Sequence, residues 1–393
     1  MFKSNKNLIV IAVIAIVNAL GYGIIIPILY SYSRRFGLSD FENGLLFATF
    51  SVCQFLSTPI IGRLSDKYGR KPLLIISLAG TALSFLIMAF APSALFLFLA
   101  RALDGLTAGN IPVASAVISD TTAPKDRAKG FGIIGASFGF GFVFGPAISA
   151  LTLSYGIAVP FLIAAAVSVF AVILTAVVLP ETNNHMGEVI RGRFLDIPKL
   201  IRSVTDENIG TTLLLSLLYS LAFSLFTYAF QPFAVKILGL TAQEISFNFV
   251  IFGIVGLVAQ GFIIPTLEKL YGEKRTLTAA LTITIITFMC MFLVRHYFTF
   301  ILISIIHSLA NGFVAPLVQA LLSKEADEKS QGSILGLNAS YISIGMIFGP
   351  IVGGAVATLG VPLPFATGSL ICLFCMILSL QILRKPFHKQ TAF

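Results

Sequence analysis

Long apolar runs recur along the whole chain and are separated by short segments that hold most of its charged residues. Runs of about 20 apolar residues have the length of a helix that crosses a bilayer. Membrane-spanning strands would be about half as long and would alternate between apolar and polar residues, so helices are predicted. The 12 predicted spans are residues 7–30, 41–62, 72–91, 94–118, 129–151, 156–179, 210–231, 242–265, 276–294, 296–322, 332–357 and 361–383. The pattern therefore predicts an all-α membrane protein.

The composition excludes a water-soluble globular protein. Hydrophobic residues make up 57% of the 393 residues and charged residues only 11%, with a mean hydropathy of +0.95. A soluble domain carries about 25% charged residues. An enzyme is not expected either, because the four scattered His residues and the four Cys residues inside apolar runs form no cluster of nucleophile, base or metal ligands. We therefore expect neither a metal nor another cofactor.

The basic residues are distributed unevenly between the two ends of the predicted helices. With the N-terminus in the cytoplasm, 21 of the 26 Lys and Arg residues fall on cytoplasmic segments. The four on the opposite side are Arg34, Arg35, Lys236 and Arg295, and Arg101 lies within helix 4. This distribution follows the positive-inside rule and places both termini in the cytoplasm of a multi-pass protein of the cell (inner) membrane. Because the charges are spread over many short loops, the net charge of +9 does not indicate nucleic-acid binding.

The chain contains an internal duplication. The segment Ile61–Lys71 aligns with Ile264–Lys274 at an offset of 203 residues, and Gly141–Pro146 aligns with Gly345–Pro350 at an offset of 204. The predicted domains are an N-terminal six-helix bundle at residues 1–180, a cytoplasmic central loop at 181–209, and a C-terminal six-helix bundle with a short cytoplasmic tail at 210–393. Parallel repeats of this kind are the organisation of transporters whose substrate site lies between the halves, near the middle of the membrane.

The strongest local motif follows helix 2. The segment 62–71, with the sequence GRLSDKYGRK, is a short basic turn with one acid placed for charge pairing. It resembles the loop signature G-x-L-a-D-r-x-G-R-K of the major facilitator superfamily nearly throughout. In helix 4, Arg101 and Gly105 are similar to the R-x-x-x-G motif of the same family. An Arg in a hydrocarbon span is costly and normally faces a wet or paired site.

The resemblance implies a charge relay at this turn. In the family, an acid at the end of helix 4 interacts with the Asp and the second Arg of the loop. In this chain the corresponding residues are Asp66, Arg70 and Asp120. We expect the relay to act as a latch that stabilises one conformation of a transporter, without contacting the substrate.

Helices 5 and 11 carry matching glycine motifs. Small residues four positions apart let helices pack closely, and a proline kinks a helix. The pattern resembles the G-x-x-x-G-P-x-x-G-G motif of antiporters in the superfamily, although Ser149 and Ala150 replace its last two glycines in helix 5. The predicted packing residues are Gly141, Gly145, Pro146, Gly345, Gly349 and Pro350.

Within the superfamily, the chain most resembles the drug:proton antiporters of the tetracycline-efflux type. The similar segments are residues 18–27 in helix 1, the helix 4 region, and residues 319–332. This resemblance implies proton-coupled export of small amphipathic compounds or drugs by alternating access. Asn18 and Ser84 stand where that group has acids tied to coupling or substrate, which argues against tetracycline itself. The alternative is a facilitator or a proton symporter for a sugar or another small metabolite, because fewer buried acids mean fewer proton sites.

Three residues are candidates for proton coupling. Asp104 is the one of the 17 acids that lies deep in a predicted span, three residues after Arg101 and on the same helical face. Burial and a neighbouring guanidinium have opposite effects on the proton affinity of a carboxyl group, so such an acid can titrate as a cavity alternates. A permanent Arg101–Asp104 ion pair that only holds helix 4 is the alternative. His307 lies at a similar depth in helix 10, as a third candidate or as a hydrogen-bonded structural residue.

In the architecture of this family, helices 1, 4, 7 and 10 line the cavity. An apolar wall with a few polar groups suits small amphipathic ligands. The polar and aromatic candidates on these helices are Asn18, Tyr22, Asn110, Tyr219, Tyr228, Gln231, Asn311 and Gln319. The expected partners are a small-molecule substrate, protons and the lipid bilayer, and the protein is expected to be monomeric.

Overall fold

The computed structural model describes residues 2–122, 127–183, 197–206, 209–325 and 331–384, and the regular structure within these ranges is helical. The α-helices are α1 (Phe2–Arg34), α2 (Asp40–Tyr68), α3 (Arg70–Ala89), α4 (Ala94–Thr107), α5 (Asn110–Thr121), α6 (Arg127–Thr152), α7 (Ala158–Val178), α8 (Ile197–Val204), α9 (Gly210–Lys236), α10 (Ala242–Val258), α11 (Ile264–Tyr271), α12 (Glu273–Leu293), α13 (Tyr297–Glu325), α14 (Gln331–Leu359) and α15 (Leu363–Arg384). A π-helical turn, Ala259–Ile263, joins α10 to α11.

Twelve helical segments of the described chain are long and apolar enough to cross a membrane, which confirms the predicted all-α architecture. The fourth span, Ala94–Thr121, combines α4 with α5, and the eighth, Ala242–Tyr271, combines α10 with α11. Several helices continue past their predicted ends, because backbone hydrogen bonds extend a helix beyond the apolar residues that hydropathy detects. Helix α2 ends at Tyr68 instead of residue 62, so most of the predicted basic turn is helical and Gly69 alone separates α2 from α3.

The fourth span is broken, whereas the sequence predicted one continuous helix over residues 94–118. Helix α4 ends at Thr107, α5 begins at Asn110, and Ala108 has a non-helical ψ of 37°. Pro112 has no N–H to donate to the carbonyl of Ala108, and Gly109 weakens the same turn. The break places Asn110 at the start of a new helix, where its side-chain oxygen accepts the N–H of Ile111.

The described chain divides into two compact units. The first compact unit consists of Met1–Ser39, Thr49–Leu195 and Leu240–Gly253. Within it α1 packs on α6 and α3 packs on α7, around a core that includes Ile14, Leu74, Val117 and Ala171.

The second compact unit consists of Asp40–Ala48, Asp196–Gly239 and Ile254–Phe393. Within it α9 packs on α14 and α12 packs on α15, around a core that includes Leu213, Leu281 and Leu317. Helix α8 is attached to this unit through Tyr341, whose hydroxyl donates to the carbonyl of Leu200 at 2.6 Å. The predicted domain boundaries stay a prediction, because the short segments 40–48 and 240–253 join the unit formed mainly by the other half of the chain.

Both units repeat the same local geometry. The helix pairs α1–α6 and α3–α7 correspond in chain order to α9–α14 and α12–α15. Gly69 and Gly272, 203 residues apart, have φ values of 103° and 79°, and Gly37 and Gly239, 202 residues apart, have φ values of 80° and 68°. Only glycine adopts this region of φ at low cost, so the turns as well as the helices follow the duplication.

The glycine motifs lie where the paired helices touch. A side chain added at Gly145 of α6 would lie 2.7 Å from the Cα of Gly23 in α1, and one at Gly349 of α14 would lie 2.7 Å from the carbonyl oxygen of Leu221 in α9. Backbone approach this close requires glycine. The other predicted packing residues lie at similar contacts: Gly141 against Ala19, Pro146 beside Gly23, Gly345 against Leu221, and Pro350 beside Gly44 of α2.

Candidate functional site

Helix 2 approaches helix 4 closely beside Arg101. A side chain at Gly105 would lie 2.5 Å from the carbonyl oxygen of Phe50, and the Ser57 hydroxyl donates to the carbonyl of Gly105 at 2.9 Å. This close approach brings the ring of Phe50 under the guanidinium of Arg101, 4.4 Å from the ring centroid. The glycine of the R-x-x-x-G motif therefore allows the close approach that places an aromatic ring against the buried guanidinium, in a cation–π contact.

Arg101 and Asp104 form an ion pair in the interior of the first compact unit. Their closest N–O distance is 3.6 Å, and the two residues are only 3% and 8% exposed. The Thr81 hydroxyl donates to Asp104 Oδ1 at 3.1 Å, so the carboxylate has a polar partner on α3 as well. The Nε of Arg101 is buried and has no hydrogen-bond partner among the described residues.

A cavity of about 20 Å³ adjoins this pair and has room for about one water molecule. Besides Arg101 and Asp104, its lining includes Asn18, Tyr22 and Phe50. A buried Arg N–H, a carboxylate and an Asn side chain around one small space can hold a water and pass a proton through it. The site therefore places a buried acid beside a polar space that can hold one water molecule.

Two of the predicted cavity residues of the first unit bond to each other. Asn18 Nδ2 donates to Asn110 Oδ1 at 2.6 Å, which links α1 to the start of α5. Tyr22 lines the small cavity and packs edge-on against Phe142 at 6.0 Å. Asn18 thus serves as a hydrogen-bonding residue at the position where the resembling antiporters have an acid.

A corresponding polar pair occurs in the second compact unit. The Tyr219 hydroxyl bonds to Asn311 Oδ1 at 2.8 Å and lies 2.9 Å from the Asn311 carbonyl oxygen. Tyr219 and Asn311 stand 201 residues after Asn18 and Asn110. In each half, a polar pair therefore joins the first and fourth spans, at positions within two residues of repeat equivalence.

His307 lies in an aromatic cage of the second unit. Its ring packs against Phe226 and Phe288 at centroid distances of 4.3 and 4.5 Å, and its Nδ1 lies 2.8 Å from the Thr287 hydroxyl. Its Nε2 is buried and has no hydrogen-bond partner among the described residues. No acid of the described chain forms an ion pair with His307, so the cage suits a neutral imidazole better than a charged one.

His307 and Asp104 occupy related positions. They lie 203 residues apart, and each contacts a threonine on the preceding span, Thr287 for His307 and Thr81 for Asp104. Neither threonine was selected from the sequence. A threonine within an apolar span cannot be identified as a site residue from sequence alone, because the direction of its hydroxyl depends on the rotation of the helix.

The remaining predicted cavity residues differ in their surroundings. Tyr228 is fully buried and its hydroxyl donates to the backbone carbonyl of Asp40, so it contacts the first turn of α2. Gln231 is also fully buried, whereas Gln319 is exposed. The structure does not bring these three into the Tyr219–Asn311 pair.

The predicted charge relay is assembled around Arg70. Its Nη1 lies 2.5 Å from Asp66 Oδ1, its Nε lies 3.1 Å from Asp120 Oδ2, and Nη1 also donates to the Ser65 hydroxyl at 2.7 Å. The three predicted residues thus connect the ends of α2, α3 and α5. Lys125 and Asp126, which follow α5, lie outside the described residues.

Glu181 completes this network, although the sequence did not indicate it. Its carboxylate accepts the backbone N–H groups of Arg70 at 2.8 Å, Lys71 at 3.1 Å, and Thr182 and Asn183 at 2.9 Å each. Burial by itself would raise the pKa of Glu181, but the four N–H donors outweigh it and hold that pKa below its usual value of 4.5. The carboxylate therefore caps the N-terminus of α3.

A further ion pair lies at the end of α2 opposite to the relay. Lys236 Nζ at the end of α9 lies 2.6 and 2.8 Å from the two carboxylate oxygens of Asp40 at the start of α2. Asp40 is only 6% exposed. The sequence did contain a signal for this pair, because Lys236 is one of four basic residues on the side that the positive-inside rule leaves poor in them.

Comparison with known proteins places these features in a family. The sequence model of the Major Facilitator Superfamily matches residues 11–202 and 212–392. The class H tetracycline resistance protein of Pasteurella multocida is 27% identical over 405 residues, covering 98% of this chain and 97% of that protein. Multidrug resistance protein 2 of Bacillus subtilis (strain 168) is 30% identical over 353 residues, covering 88% and 87%. The crystal structure of the human organic anion transporter MFSD10 has a TM-score of 0.73 at 20% identity, over 96% of this chain and 99% of that chain.

Proposed function

Since the chain belongs to the Major Facilitator Superfamily, we propose that it exports small amphipathic compounds, drugs among them, in exchange for protons. As a member of this family it is a multi-pass membrane transporter of small molecules and not an enzyme. Two of its relatives are named for tetracycline resistance and multidrug resistance, which supports drug export. In this proposal the two predicted halves alternate in exposing a central site to either side of the membrane.

The buried carboxyl group of Asp104 carries the proposal. It lies within a span, 3.6 Å from Arg101 and hydrogen-bonded to Thr81. Proton exchange needs an acid whose surroundings change as the cavity opens and closes. A buried carboxyl group beside a fixed cation meets this need, because its proton affinity depends on burial and on the nearby charge. The adjoining space for one water offers the proton a path to this carboxyl group.

In this proposal Asn18 and Tyr22, which line the same small cavity as Asp104, contact the substrate. A polar group of the substrate that entered this small cavity and displaced the water would interrupt the proton path. Proton and substrate would therefore occupy this region in turn, which is the condition for exchange. His307, in its apolar cage, is proposed to hydrogen-bond a substrate through its buried Nε2 and not to carry the proton.

Transport in reconstituted vesicles with an imposed pH gradient tests the role of Asp104. Asp104→Asn is expected to reduce gradient-driven drug accumulation to the level of empty vesicles, because an amide cannot exchange a proton. Exchange of external for internal drug without a gradient should persist, since it needs no proton. Asp104→Glu, which keeps the carboxyl group, should retain gradient-driven accumulation. Full coupled transport by Asp104→Asn would show that this residue is not the proton carrier.

A facilitator or proton symporter for a sugar or another metabolite is the second candidate. It is favoured by the uncharged residues at two positions where tetracycline carriers have acids. Asn18 bonds to Asn110 at 2.6 Å, and the Ser84 hydroxyl donates to the Thr81 carbonyl at 2.8 Å, so both are used in packing. Accumulation of substrate inside whole cells would support this candidate, whereas export against a gradient would exclude it.

We also propose a cytoplasmic location for both termini, in the cell (inner) membrane, and a monomeric protein with domains at residues 1–180 and 210–393. The asymmetry of 21 against four basic residues supports this orientation. The relay of Asp66, Arg70 and Asp120 would then be a cytoplasmic latch. Labelling that found the segments after Lys71 and after Lys274 on opposite faces of the membrane would contradict this arrangement.

A further inference from the structure

A polar cavity of about 350 Å³ lies in the first compact unit, at the ends of the spans farthest from the segment 62–71. It is formed where the chain turns after α1, after α6 and after α9. Since each span crosses once, these three turns lie on the same face. The polar side chains of its lining belong to Ser31, Arg35, Ser154, Thr241 and Gln243.

Arg35 gives this cavity a positive charge that the described protein does not neutralise. On the same face, Arg34 donates to the Leu38 carbonyl at 3.3 Å and Lys236 pairs with Asp40 at 2.6 Å. Arg295 donates to two backbone carbonyls at 2.6 and 2.8 Å. The guanidinium of Arg35, in contrast, makes no hydrogen bond or ion pair with the described residues, and it faces a cavity large enough for a ligand.

Glu244, the acid that directly follows the lining residue Gln243, is already engaged. Glu244 accepts both the backbone N–H and the hydroxyl of Thr241 at 2.8 Å, and its own N–H donates to the Thr241 hydroxyl at 3.3 Å. This reciprocal pair caps the start of α10. The carboxylate therefore holds its own helix end and is not paired with Arg35.

The depth of the cavity matches the headgroup layer of a bilayer. Its lining lies at the ends of the apolar spans Gly130–Tyr155 and Ala158–Val178. Tyr155 is 80% exposed and Leu151 is 66% exposed, so an interfacial tyrosine and a lipid-facing leucine stand beside it. Leu153 and Ile157 add apolar lining next to the polar groups. A ligand with an anionic head and an apolar body fits both parts.

We propose that this cavity binds the phosphodiester headgroup of an anionic phospholipid, with Arg35 paired to the phosphate. Ser31 and Ser154 also line the cavity, and their hydroxyls can hydrogen-bond to the hydroxyls of a glycerol headgroup. Gln243 Nε2 donates to the Ala150 carbonyl at 2.9 Å, which leaves its amide oxygen as an acceptor. This lipid site is independent of the proposed drug export.

Lipid binding to the full-length, delipidated protein in neutral detergent tests the site. The probes are phosphatidylglycerol and phosphatidylcholine with the same acyl chains, titrated and counted by native mass spectrometry. Arg35→Gln should weaken phosphatidylglycerol binding about fivefold, the effect of one basic residue at an anionic lipid surface. Arg34→Gln is the matched control, because Arg34 has a backbone partner and does not line the cavity; it should change binding less than twofold.

Two further variants separate charge from shape. Arg35→Lys should keep most of the preference for phosphatidylglycerol, and Ser154→Phe should fill the cavity and reduce binding without a change in charge. Inorganic phosphate and glycerol phosphate are added as competitors. Equal loss in Arg34→Gln and Arg35→Gln, or no loss in either, would overturn the proposal. Displacement of the lipid by millimolar free phosphate would show a site for soluble anions instead.

Discussion

At the scale of single residues, Glu181 has a larger structural role than its place in the sequence suggests. It lies three residues after the end of α7 and accepts four backbone N–H groups, two of them from the first residues of α3. Gly69 lies so close to it that a side chain there would be 2.8 Å from the Glu181 carboxyl carbon. The glycine of the basic motif is therefore required by a left-handed φ of 103° and also by the carboxylate that packs on it.

The lowered pKa of Glu181 predicts a pH signature. A carboxylate whose pKa is lowered by folding stabilises the folded state above its unfolded pKa and loses this effect as pH falls through the folded value. Glu181→Gln should therefore lower the stability of the protein in detergent by about 1 kcal/mol near pH 7, as for loss of a helix cap. The difference in melting temperature should shrink as pH falls below 4.5, the usual value. A difference that is independent of pH would contradict this account.

At the scale of elements, glycines at backbone contacts let paired helices pack closely. Prolines, in turn, cause the local irregularities within two of the spans. Helix α6 lies against α1 through Gly141 and Gly145, and α14 lies against α9 through Gly345 and Gly349. The break between α4 and α5 and the π turn before Pro265 have a related cause, since proline removes one intrahelical hydrogen bond at each place. Small residues thus decide how closely two spans approach each other.

A pair of substitutions in α6 tests this close packing. Gly145→Ala should destabilise the protein by about 1–3 kcal/mol, because the methyl group overlaps the backbone of α1. Gly135→Ala is the matched control in the same helix, where an added Cβ meets nothing within 4 Å. Gly135→Ala should be neutral or stabilise the protein by up to about 1 kcal/mol, since alanine has a higher helix propensity than glycine. Thermal unfolding in detergent compares them, and equal melting temperatures would refute the packing argument.

At the scale of the whole molecule, ion pairs lie at both ends of the spans. Arg70 joins Asp66 and Asp120 near one end, and Lys236 pairs with Asp40 at the other. Asp40 belongs to the first predicted half of the chain and Lys236 to the second, although both lie in the second compact unit. We propose that the Asp40–Lys236 pair stabilises one state of the alternating cycle and must break in the other.

The variant Lys236→Gln tests this second latch. Loss of the cation from a largely buried carboxylate should cost the state that contains the pair about 1–3 kcal/mol, roughly a fivefold to 150-fold shift in a two-state equilibrium. Spin labels in the turns 35–39 and 237–241 would report the shift as a new distance distribution. Arg295→Gln is the control, because among the described residues Arg295 bonds only to nearby backbone carbonyls on the same face. An unchanged distribution in Lys236→Gln would remove the proposed latch.

The sequence predicted the site in part. It selected Asp66, Arg70 and Asp120 through a resemblance, and the structure brings their charged atoms together. It also selected Asp104 as the acid deep in a span. It did not select the partners of these residues, because the polar groups that complete each site come from other helices. The predicted cavity residues stay a prediction for the same reason, since helical position alone does not decide which neighbour a tyrosine or glutamine contacts.

The sequence by itself determined the class of protein, the number of spans, the duplication and the family. These follow from hydropathy, charge and motif spacing, which are properties of neighbouring residues and of fixed offsets. Only the tertiary structure decided that Thr81 bonds to Asp104, that Glu181 caps α3, and that Lys236 pairs with Asp40. The physical reason is that a hydrogen bond or ion pair depends on the rotation and depth of two helices. Packing between helices sets both.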